Sequence, residues 1–350
     1  MKIKIAGGCG EHGRNCFYIE GISGAFLVDC GLLAGEEEGG FPHLLKEDIS
    51  KIQYVFLTHS HADHTGALPW LRDNGFSGEV IASKETLLQL PFKLEHSKTI
   101  EEFQKENQTI CVIYGRTGHC VGSVWYQFKF EDKMLLFSGD YVEESYVYKK
   151  DFIREKYADL AVLDCAYGKD NKSFSYYSNK LISFISAKKK VVNTLLLPVP
   201  KFGRGLELYW LLKKNFPDWK YAGDSHFLEQ VEQARGNTWI QKGVSLPEEI
   251  AVYDENSQAD IVFVSDPQLR SENARRIAEQ VLQDGHAIMT GTVEKGTLSE
   301  SLLKEEKMTM LRFPVHLNYA QFKKVALHNS FKRIIAYHTP EYNCTKEIEI

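Results

Sequence analysis

The sequence predicts an α/β protein in two parts, and the pattern of the chain changes after Gly168. The first 168 residues contain short runs of β-branched and aromatic residues separated by glycine, a pattern typical of strands. Beyond them, strand-like runs alternate with helical ones, which favours a parallel sheet covered by helices. We therefore expect one domain at residues 1–168 and 313–350, with a second α/β unit inserted at residues 169–312.

Alternating hydrophobicity locates the strands of the first part. Residues 123–130 alternate, and residues 134–137 follow the turn at 131–133, so the two runs are expected to form an antiparallel hairpin. The other strands predicted here are residues 3–6, 25–28, 54–57, 80–82, 111–114 and 160–163. The last strand of the chain is predicted at residues 334–337.

The inserted part begins with apolar residues at helical spacing over residues 173–188. The clearest helix is predicted at residues 271–284, with Gly285 as its C-terminal cap. Strands are predicted at residues 191–199, 261–264 and 287–289, and a further helix from Arg204.

The composition excludes several classes of protein. The 350 residues are 43% hydrophobic, enough for a large core, and 26 glycines and 10 prolines exclude a collagen-like or disordered chain. No apolar run approaches the roughly 18 residues of a membrane span, and a net charge of −5 argues against coating nucleic acid through bulk charge. The seven cysteines are scattered and form no disulfide framework, so we expect a reducing cytoplasm and no membrane association.

A histidine-rich segment directly after a buried strand is the strongest functional signal. Residues 58–64 read Thr-His-Ser-His-Ala-Asp-His, which gathers three imidazoles and a carboxylate. Imidazole and carboxylate together suit zinc, and burying so many polar groups without partners would be costly. The alternatives are a solvated histidine-rich turn or an expression artefact, but interleaving with Asp63 and small residues disfavours an added tag. The segment predicts a metal site.

Three further candidates lie where strands end. His119 precedes the hairpin in a Gly-His pair, Asp140 closes it in Ser-Gly-Asp, and His338 follows the last strand. Because α/β sheets place their sites at strand ends, we expect these side chains near the histidine-rich segment.

The order of these motifs, HxHxDH, then GH, then SGD, then a late histidine, resembles the metallo-β-lactamase-fold hydrolases. Asp29 matches the first motif of that family, and Asp164 is similar to the acidic residue of its β-CASP branch. Residues 197–208 resemble the Pro…Gly-Arg…Glu-Leu segment of that branch, and residues 290–298 resemble its late glycine loop. The matches cover nearly the whole chain and are typical of nucleases related to RNase J and to the 3′-end-processing endonuclease.

The resemblance implies an αββα sandwich with an inserted β-CASP domain and a centre of two zinc ions, although other divalent metals also fit. One ion would bind His59, His61 and His119; the other Asp63, His64 and His338; and Asp140 would bridge them. Asp63 would also count among the catalytic residues, and Asp29 would orient the histidine-rich loop.

His316 is the second catalytic histidine that the resemblance implies. With Asp164 it would protonate the leaving oxygen, although Val315 replaces the usual alanine and Asn318 stands where aspartate is common. The alternative is a structural His316 and no general acid. The spacing to His338 and a helix expected after His316 favour the catalytic role.

The predicted function is a zinc-dependent ribonuclease acting on single-stranded RNA, as an endonuclease, a 5′-exonuclease or both. The resemblance favours RNA because the DNA-specific branch usually lacks a histidine at the position of His338. Lys201, Arg204 and His12 are the candidate substrate contacts. The alternatives are a small-molecule metallohydrolase of the thioesterase or lactonase kind, a DNA nuclease, and an inactive RNA-binding subunit.

Overall fold

The computed structural model describes every residue except 34, 36–38, 247–249 and 343. The chain divides into two compact units, each assembled from separate segments. The first unit consists of Met1–Glu143, Lys150–Asn171 and His316–Ile350. The second unit consists of Glu144–Lys149 and Lys172–Val315.

A seven-stranded sheet forms one half of the first unit. Its strands, in spatial order, are Glu347–Glu349, Lys2–Gly7, Cys16–Gly21, Gly24–Val28, Ile52–Phe56, Glu79–Ala82 and Ser97–Thr99. The first three pairings are antiparallel and the last three parallel. The strand Cys16–Gly21 was not predicted, because the glycine-containing loop before it hides its start.

A five-stranded sheet forms the other half. Its strands, in spatial order, are Ile334–Tyr337, Leu160–Asp164, Lys133–Phe137, Val124–Phe130 and Ile110–Arg116. The predicted hairpin is confirmed, since Val124–Phe130 and Lys133–Phe137 pair antiparallel. The late strand Ile334–Tyr337 lies parallel to Leu160–Asp164, which returns the end of the chain to the first unit.

Aromatic side chains pack the two sheets against each other. Phe128 lies 5.1 Å from Phe26 and 4.8 Å from Phe56, measured between ring centroids. On the outer faces, Leu68 and Leu71 of one helix pack against the seven-stranded sheet. Val325 of another helix packs against the five-stranded sheet. The predicted αββα sandwich is therefore confirmed.

Six helices accompany these two sheets in the described part of the first unit. They are Lys46–Ile49, Ala62–Thr65, Leu68–Asp73, Lys84–Gln89, Ile100–Glu106 and Tyr319–Leu327. Two short strands, Tyr157–Ala158 and Ser330–Phe331, pair in parallel beside them.

The second unit is built on a six-stranded sheet that is parallel throughout. Its strands, in spatial order, are Ala251–Val252, Tyr221–Gly223, Ile261–Val264, Leu195–Pro198, His286–Met289 and Met308–Met310. Its helices are Phe174–Lys188, Arg204–Asn215, Ser225–Ala234, Glu272–Val281 and Leu298–Lys304. The α/β unit and its parallel sheet are as the sequence predicts.

The predicted C-terminal cap at Gly285 is wrong. The helix ends at Val281 and Leu282 caps it, three residues earlier than expected. Gly285 instead lies close to the helix end, where an added Cβ would come within 2.3 Å of the Val281 carbonyl oxygen. Close backbone approach, not capping, requires glycine there.

A disulfide joins Cys9 to Cys344. The scattered cysteine spacing did not predict this link, because the two residues are 335 positions apart in the chain and meet only in the folded unit. Among the described residues, no helix is long and apolar enough to cross a bilayer.

Candidate metal centre

The histidine-rich segment turns sharply after the strand Ile52–Phe56 and enters the short helix Ala62–Thr65. His59 and His64 are completely buried and His61 is half-buried. Neutral or charged, buried imidazoles need partners. They find them in one another and in residues brought from distant parts of the chain, which form two clusters.

The first cluster consists of His59, His61 and His119. The Nδ1 atom of His61 lies 3.1 Å from Nε2 of His59 and 3.2 Å from Nε2 of His119. Neighbouring ligands of a tetrahedral zinc are about 3.3–3.4 Å apart, since zinc–nitrogen bonds are about 2.0–2.1 Å long. These three nitrogens therefore have the separation expected around one such ion.

The second cluster consists of Asp63, His64 and His338. The Oδ2 atom of Asp63 lies 3.7 Å from Nε2 of His64 and 3.2 Å from Nε2 of His338. The latter nitrogen is buried, yet it lacks the geometry of a hydrogen bond to any described residue. A cation at the centre of the cluster would give this buried ring nitrogen a partner.

Asp140 connects the two clusters through its two carboxylate oxygens. Oδ2 lies 3.6 Å from Nε2 of His59 and 3.5 Å from Nε2 of His119, in the first cluster. Oδ1 lies 3.2 Å from Nε2 of His64 and 3.1 Å from Nδ1 of His338, in the second. One oxygen facing each cluster is the arrangement that a bridging carboxylate requires.

Gly139, which precedes Asp140, explains the glycine of the Ser-Gly-Asp motif. Its φ is +55°, in the left-handed region, and an added Cβ would come within 2.9 Å of Cβ of Thr58. A side chain at this position would displace the histidine-rich segment from Asp140.

Asp29 supports the second cluster from behind. Its Oδ2 atom accepts a hydrogen bond from Nδ1 of His64 at 2.7 Å and another from the Thr58 hydroxyl at 2.8 Å. Its Oδ1 atom accepts from the Thr58 backbone N–H at 2.7 Å. The bond to Nδ1 leaves Nε2 of His64 as the atom available to a metal.

The sequence analysis missed Thr58 and Asn15 as supporting residues. Asn15 is fully buried, and its Nδ2 atom lies 2.8 Å from Nε2 of His64. Its only sequence signal was its place in the glycine-containing loop before a strand. Thr58, at the start of the histidine-rich segment, carried no chemical signal of its own.

The electrostatics of the centre attract cations. Burial and the neighbouring imidazole of His64 hold the pKa of His59 well below its usual value, so its ring lone pair is available. Burial works against ionisation of Asp63, yet His64 and His338 hold its pKa well below the usual range. Burial likewise opposes protonation of His338, yet Asp140 and Asp63 raise its pKa to about 10. The second cluster therefore holds a proton or a metal ion.

His316 lies between the two clusters. Its ring centroid is 5.2 Å from that of His119 and 5.2 Å from that of His338. Its Nδ1 atom donates to Oδ2 of Asp164 at 2.9 Å. Asp164 in turn accepts hydrogen bonds from the backbone N–H groups of Tyr141 and Ala166, at 3.1 and 3.0 Å. The carboxylate is thus fixed by the backbone and orients the imidazole.

The three candidate substrate contacts lie in different places. His12 is exposed, stacks on the His338 ring at a centroid distance of 4.2 Å, and hydrogen-bonds through Nδ1 to the His338 carbonyl oxygen at 3.1 Å. Lys201 and Arg204 belong to the second unit. There the guanidinium of Arg204 packs over Gly291, whose added Cβ would lie 2.0 Å from Nη1. The Gly-Arg segment and the late glycine loop therefore contact each other.

The donor set fits metal ions of the zinc type. Five imidazoles, two carboxylates and the buried supporting hydrogen bonds of Asp29 match the ligands and the surrounding groups that zinc sites use. Three groups of side chains could hold a metal ion: His59, His61, His119 and Asp140; Asp63, His64 and His338; and Asp140, Asp164, His316 and His338. All seven predicted ligands fall within these groups, and Asp140 belongs to the first and the third.

Comparison with known proteins agrees with this geometry. A family model described as the metallo-beta-lactamase superfamily matches residues 9–175. The chain is 26% identical to Ribonuclease TTHA0252 of Thermus thermophilus over 211 residues, which are 53% of this chain and 48% of the relative. It is 23% identical to Endoribonuclease YSH1 of Candida albicans over 373 aligned residues, covering 86% of this chain and 42% of that one.

Two further similarities come from an archaeal protein and a solved structure. Transcription termination factor FttA of Methanothermobacter thermautotrophicus is 25% identical to this chain over 255 residues. The aligned region covers 61% of this chain and 39% of the length of FttA. The chain thus spans less than half the length of these curated relatives. A crystal structure of a protein of unknown function from Enterococcus faecalis V583 matches 99% of both chains with a TM-score of 0.63 at 11% identity, which supports the fold alone. Residues 9–175 therefore match the metallo-beta-lactamase superfamily, and the chain is similar to ribonucleases of the β-CASP kind beyond that segment.

Proposed function

We propose that this protein is a zinc-dependent ribonuclease that hydrolyses the phosphodiester bonds of single-stranded RNA at a dinuclear centre. The observation that carries the proposal is Asp140, whose two oxygens face two separate clusters of donor atoms. His59, His61 and His119 would hold one ion, and Asp63, His64 and His338 the other. Two bound ions would supply a hydroxide near neutral pH and offset the charge of the phosphate.

The roles of the remaining residues follow from their contacts. The hydrogen bond from Nδ1 of His316 to Asp164 leaves Nε2 as the nitrogen that can hold a proton for the leaving oxygen. The position of this ring beside His119 and His338 supports a role at the reacting phosphate. Asp29 keeps His64 in one orientation. His12, which stacks on His338, would contact the substrate from the rim.

RNA is favoured as substrate because relatives from bacteria and fungi are named as ribonucleases. The late histidine, His338, contributes to the second cluster, and the resemblance associates that residue with the RNA-cleaving members. Whether cleavage is internal or starts from a 5′ end depends on how an end is bound. The proposal therefore includes both endonucleolytic and 5′-exonucleolytic cleavage. It also places the protein in the cytoplasm.

The test combines metal analysis with three substrates. Protein purified without chelator is expected to contain two zinc ions per chain and to cleave labelled single-stranded RNA in preference to single-stranded DNA and a chromogenic ester. Preferential cleavage of the DNA or the ester would instead establish a DNA nuclease or a small-molecule hydrolase. Metal-loaded protein that binds RNA without cleaving anything would establish a silent binding subunit and overturn the proposal.

The products on three RNA substrates would distinguish the two modes of cleavage. An endonuclease is expected to open circular RNA and to ignore the state of the 5′ end. A 5′-exonuclease is expected to leave circular RNA intact and to prefer a 5′-monophosphate over a 5′-triphosphate.

A further inference from the structure

Five aromatic side chains of the second unit lie near one another, and none of them is a metal-centre candidate. This aromatic strip consists of Tyr146, Phe174, Tyr176, Tyr177 and Trp210. The Tyr146 ring stacks on Trp210 at a centroid distance of 5.1 Å and 23° between planes, and lies 4.8 Å from Phe174. Tyr177 follows Phe174 by one helical turn and lies 5.3 Å from Tyr176. The strip thus consists of three rings in contact and a pair of rings one helical turn farther along.

Three cations lie over the rings of the strip. Nζ of Lys214 is 4.8 Å from the Trp210 centroid, and Nζ of Lys172 is 4.8 Å from the Tyr176 centroid. The Arg312 guanidinium lies 5.9 Å from the Tyr177 centroid. All three cations are exposed. In a chain whose net charge is −5, this is a locally basic surface.

The two helices that carry most of the strip add to this positive charge. Helix Phe174–Lys188 contains two lysines and no acidic residue. Helix Arg204–Asn215 contains three cations and one acidic residue, Glu207, which is buried. The surface charge of both helices is therefore positive.

The rings are anchored on one side and open on the other. Tyr176 is 43% exposed, and the other four rings of the strip are half-buried. Buried Glu207 holds Tyr146 in place, because its Oε2 atom accepts a hydrogen bond from the Tyr146 backbone N–H at 2.9 Å. Trp210 follows Glu207 by one turn of the same helix, so the stacked pair is organised in advance of any ligand.

We propose that the aromatic strip is a platform on which the bases of single-stranded RNA stack, with Lys172, Lys214 and Arg312 near the backbone phosphates. Alternating aromatic rings and cations are how proteins bind single strands without reading sequence. A protein partner fits less well, since lysine is depleted from the buried cores of protein interfaces. The choice of RNA as ligand rests on the proposed function.

The test measures binding to the full-length, metal-loaded protein without turnover. The probe is a fluorescently labelled 12-nucleotide 2′-O-methyl RNA, which resists hydrolysis, and the readout is fluorescence anisotropy. Trp210→Ala is expected to weaken binding roughly 5- to 150-fold, the range that loss of one base stack produces. Trp210→Phe, which keeps a ring, should lose less. Lys214→Ala should reduce the slope of log K against log salt by about 0.7.

A matched control comes from the first unit. Tyr157 is 42% exposed, nearly the same as Tyr176, and Nζ of Lys332 lies 5.4 Å from its ring. No ring of the described residues stacks on Tyr157, and its lysine pairs with Asp159 at 2.9 Å. Tyr176→Ala is expected to weaken binding at least threefold, whereas Tyr157→Ala should leave it unchanged. Equal effects of the two substitutions, or none from Trp210→Ala and Tyr176→Ala, would overturn the proposal.

A second measurement separates this proposal from the proposed function. Trp210→Ala should raise KM for single-stranded RNA and leave hydrolysis of the small diester bis(4-nitrophenyl) phosphate unchanged. If the wild-type protein cleaves neither substrate, the proposed function fails, while the difference in anisotropy between Tyr176→Ala and Tyr157→Ala still decides whether the strip binds RNA. Double-stranded probes, whose bases are already stacked, should bind the strip more weakly.

Discussion

The first cluster of the metal centre offers three imidazoles, whereas the second offers two imidazoles and the carboxylate of Asp63. Asp140 adds one oxygen to each. The difference lies in charge. Burial beside other imidazoles lowers the pKa of His59, so this ring offers the first cluster a neutral nitrogen donor. The second contains ionised Asp63 and an imidazole, His338, whose pKa is raised to about 10 by Asp140 and Asp63 against the effect of burial.

Hydrogen bonds from residues outside the second cluster hold two of its members in place. Asp29 holds His64, and the His338 backbone N–H donates to the Gly8 carbonyl oxygen at 2.6 Å. Asp29 and His338 have φ angles of +60° and +68°, which are uncommon outside glycine. Such conformations cost of order 1–3 kcal/mol each and persist only where surrounding contacts enforce them. The supporting bonds of the second cluster thus hold Asp29 and His338 in conformations that non-glycine residues rarely adopt.

The largest effect is expected at the residue that the two clusters share. Asp140→Ala removes a donor from both, so we expect both metal ions to be lost and activity to fall by more than about 10⁴-fold, the upper end of general acid–base effects. Elemental analysis and an RNA cleavage assay measure the two outcomes. Retention of both metals would show that Asp140 does not bridge the clusters.

Removing a metal ligand and removing a general acid should have different effects on metal content and activity. His316→Ala is expected to reduce RNA cleavage about 10²–10⁴-fold with both metals in place, because Asp164 orients this ring and His316 is not among the seven predicted ligands. His338→Ala should lose activity together with the metal of the second cluster only. A substrate with a better leaving group should be less affected by His316→Ala. Loss of zinc from His316→Ala, or near-full activity in it, would contradict these roles.

Substitution of Asp29, which accepts a hydrogen bond from His64, should affect metal binding at the second cluster only. Asp29→Asn weakens the acceptor for Nδ1 of His64, and such changes typically lower metal affinity about 10–100-fold. Competition with a metal-binding dye, read as two separate affinities, measures this. The first cluster should bind as before. An equal loss at both clusters would mean that Asp29 holds the whole histidine-rich segment through Thr58 instead.

The two clusters also differ in how far the sequence alone predicts them. His59, His61, Asp63 and His64 lie within six residues, so spacing alone predicted a metal site there. Dividing these residues between two ions, and adding His338, depended on the family resemblance, because only the folded sheets bring residue 338 beside residue 63.

No sequence pattern indicated some of the contacts around the metal centre, because they form between residues that are distant in the chain. Asn15 and Thr58 act through hydrogen bonds made across the fold, and asparagine or threonine in a loop is usually an ordinary turn residue. Gly285 followed a helical pattern and was assigned as a cap, although close contact with Val281 accounts for it. Local patterns identify chemistry-bearing clusters, but they do not reveal contacts that form between distant strands.

The smallest effect is expected at Asn318, where the sequence departs from the aspartate common in the family. Asn318 caps the helix Tyr319–Leu327: its Oδ1 atom accepts from the Gln321 backbone N–H at 2.9 Å, and the Gln321 side chain accepts from the Asn318 N–H at 3.0 Å. Asn318→Ala should therefore cost about 1 kcal/mol of unfolding free energy, measured by urea denaturation. Asn318→Asp should keep the cap.

Because the cap lies two residues after His316, catalysis is the control for this last prediction. Both Asn318 variants should keep their metals and cleave RNA within about twofold of the wild-type rate, since the bond to Asp164 that orients the His316 ring does not involve residue 318. A large loss of activity in Asn318→Ala without loss of stability would contradict this. It would show that residue 318 influences His316, and that the helix Tyr319–Leu327 helps to hold the metal centre in place.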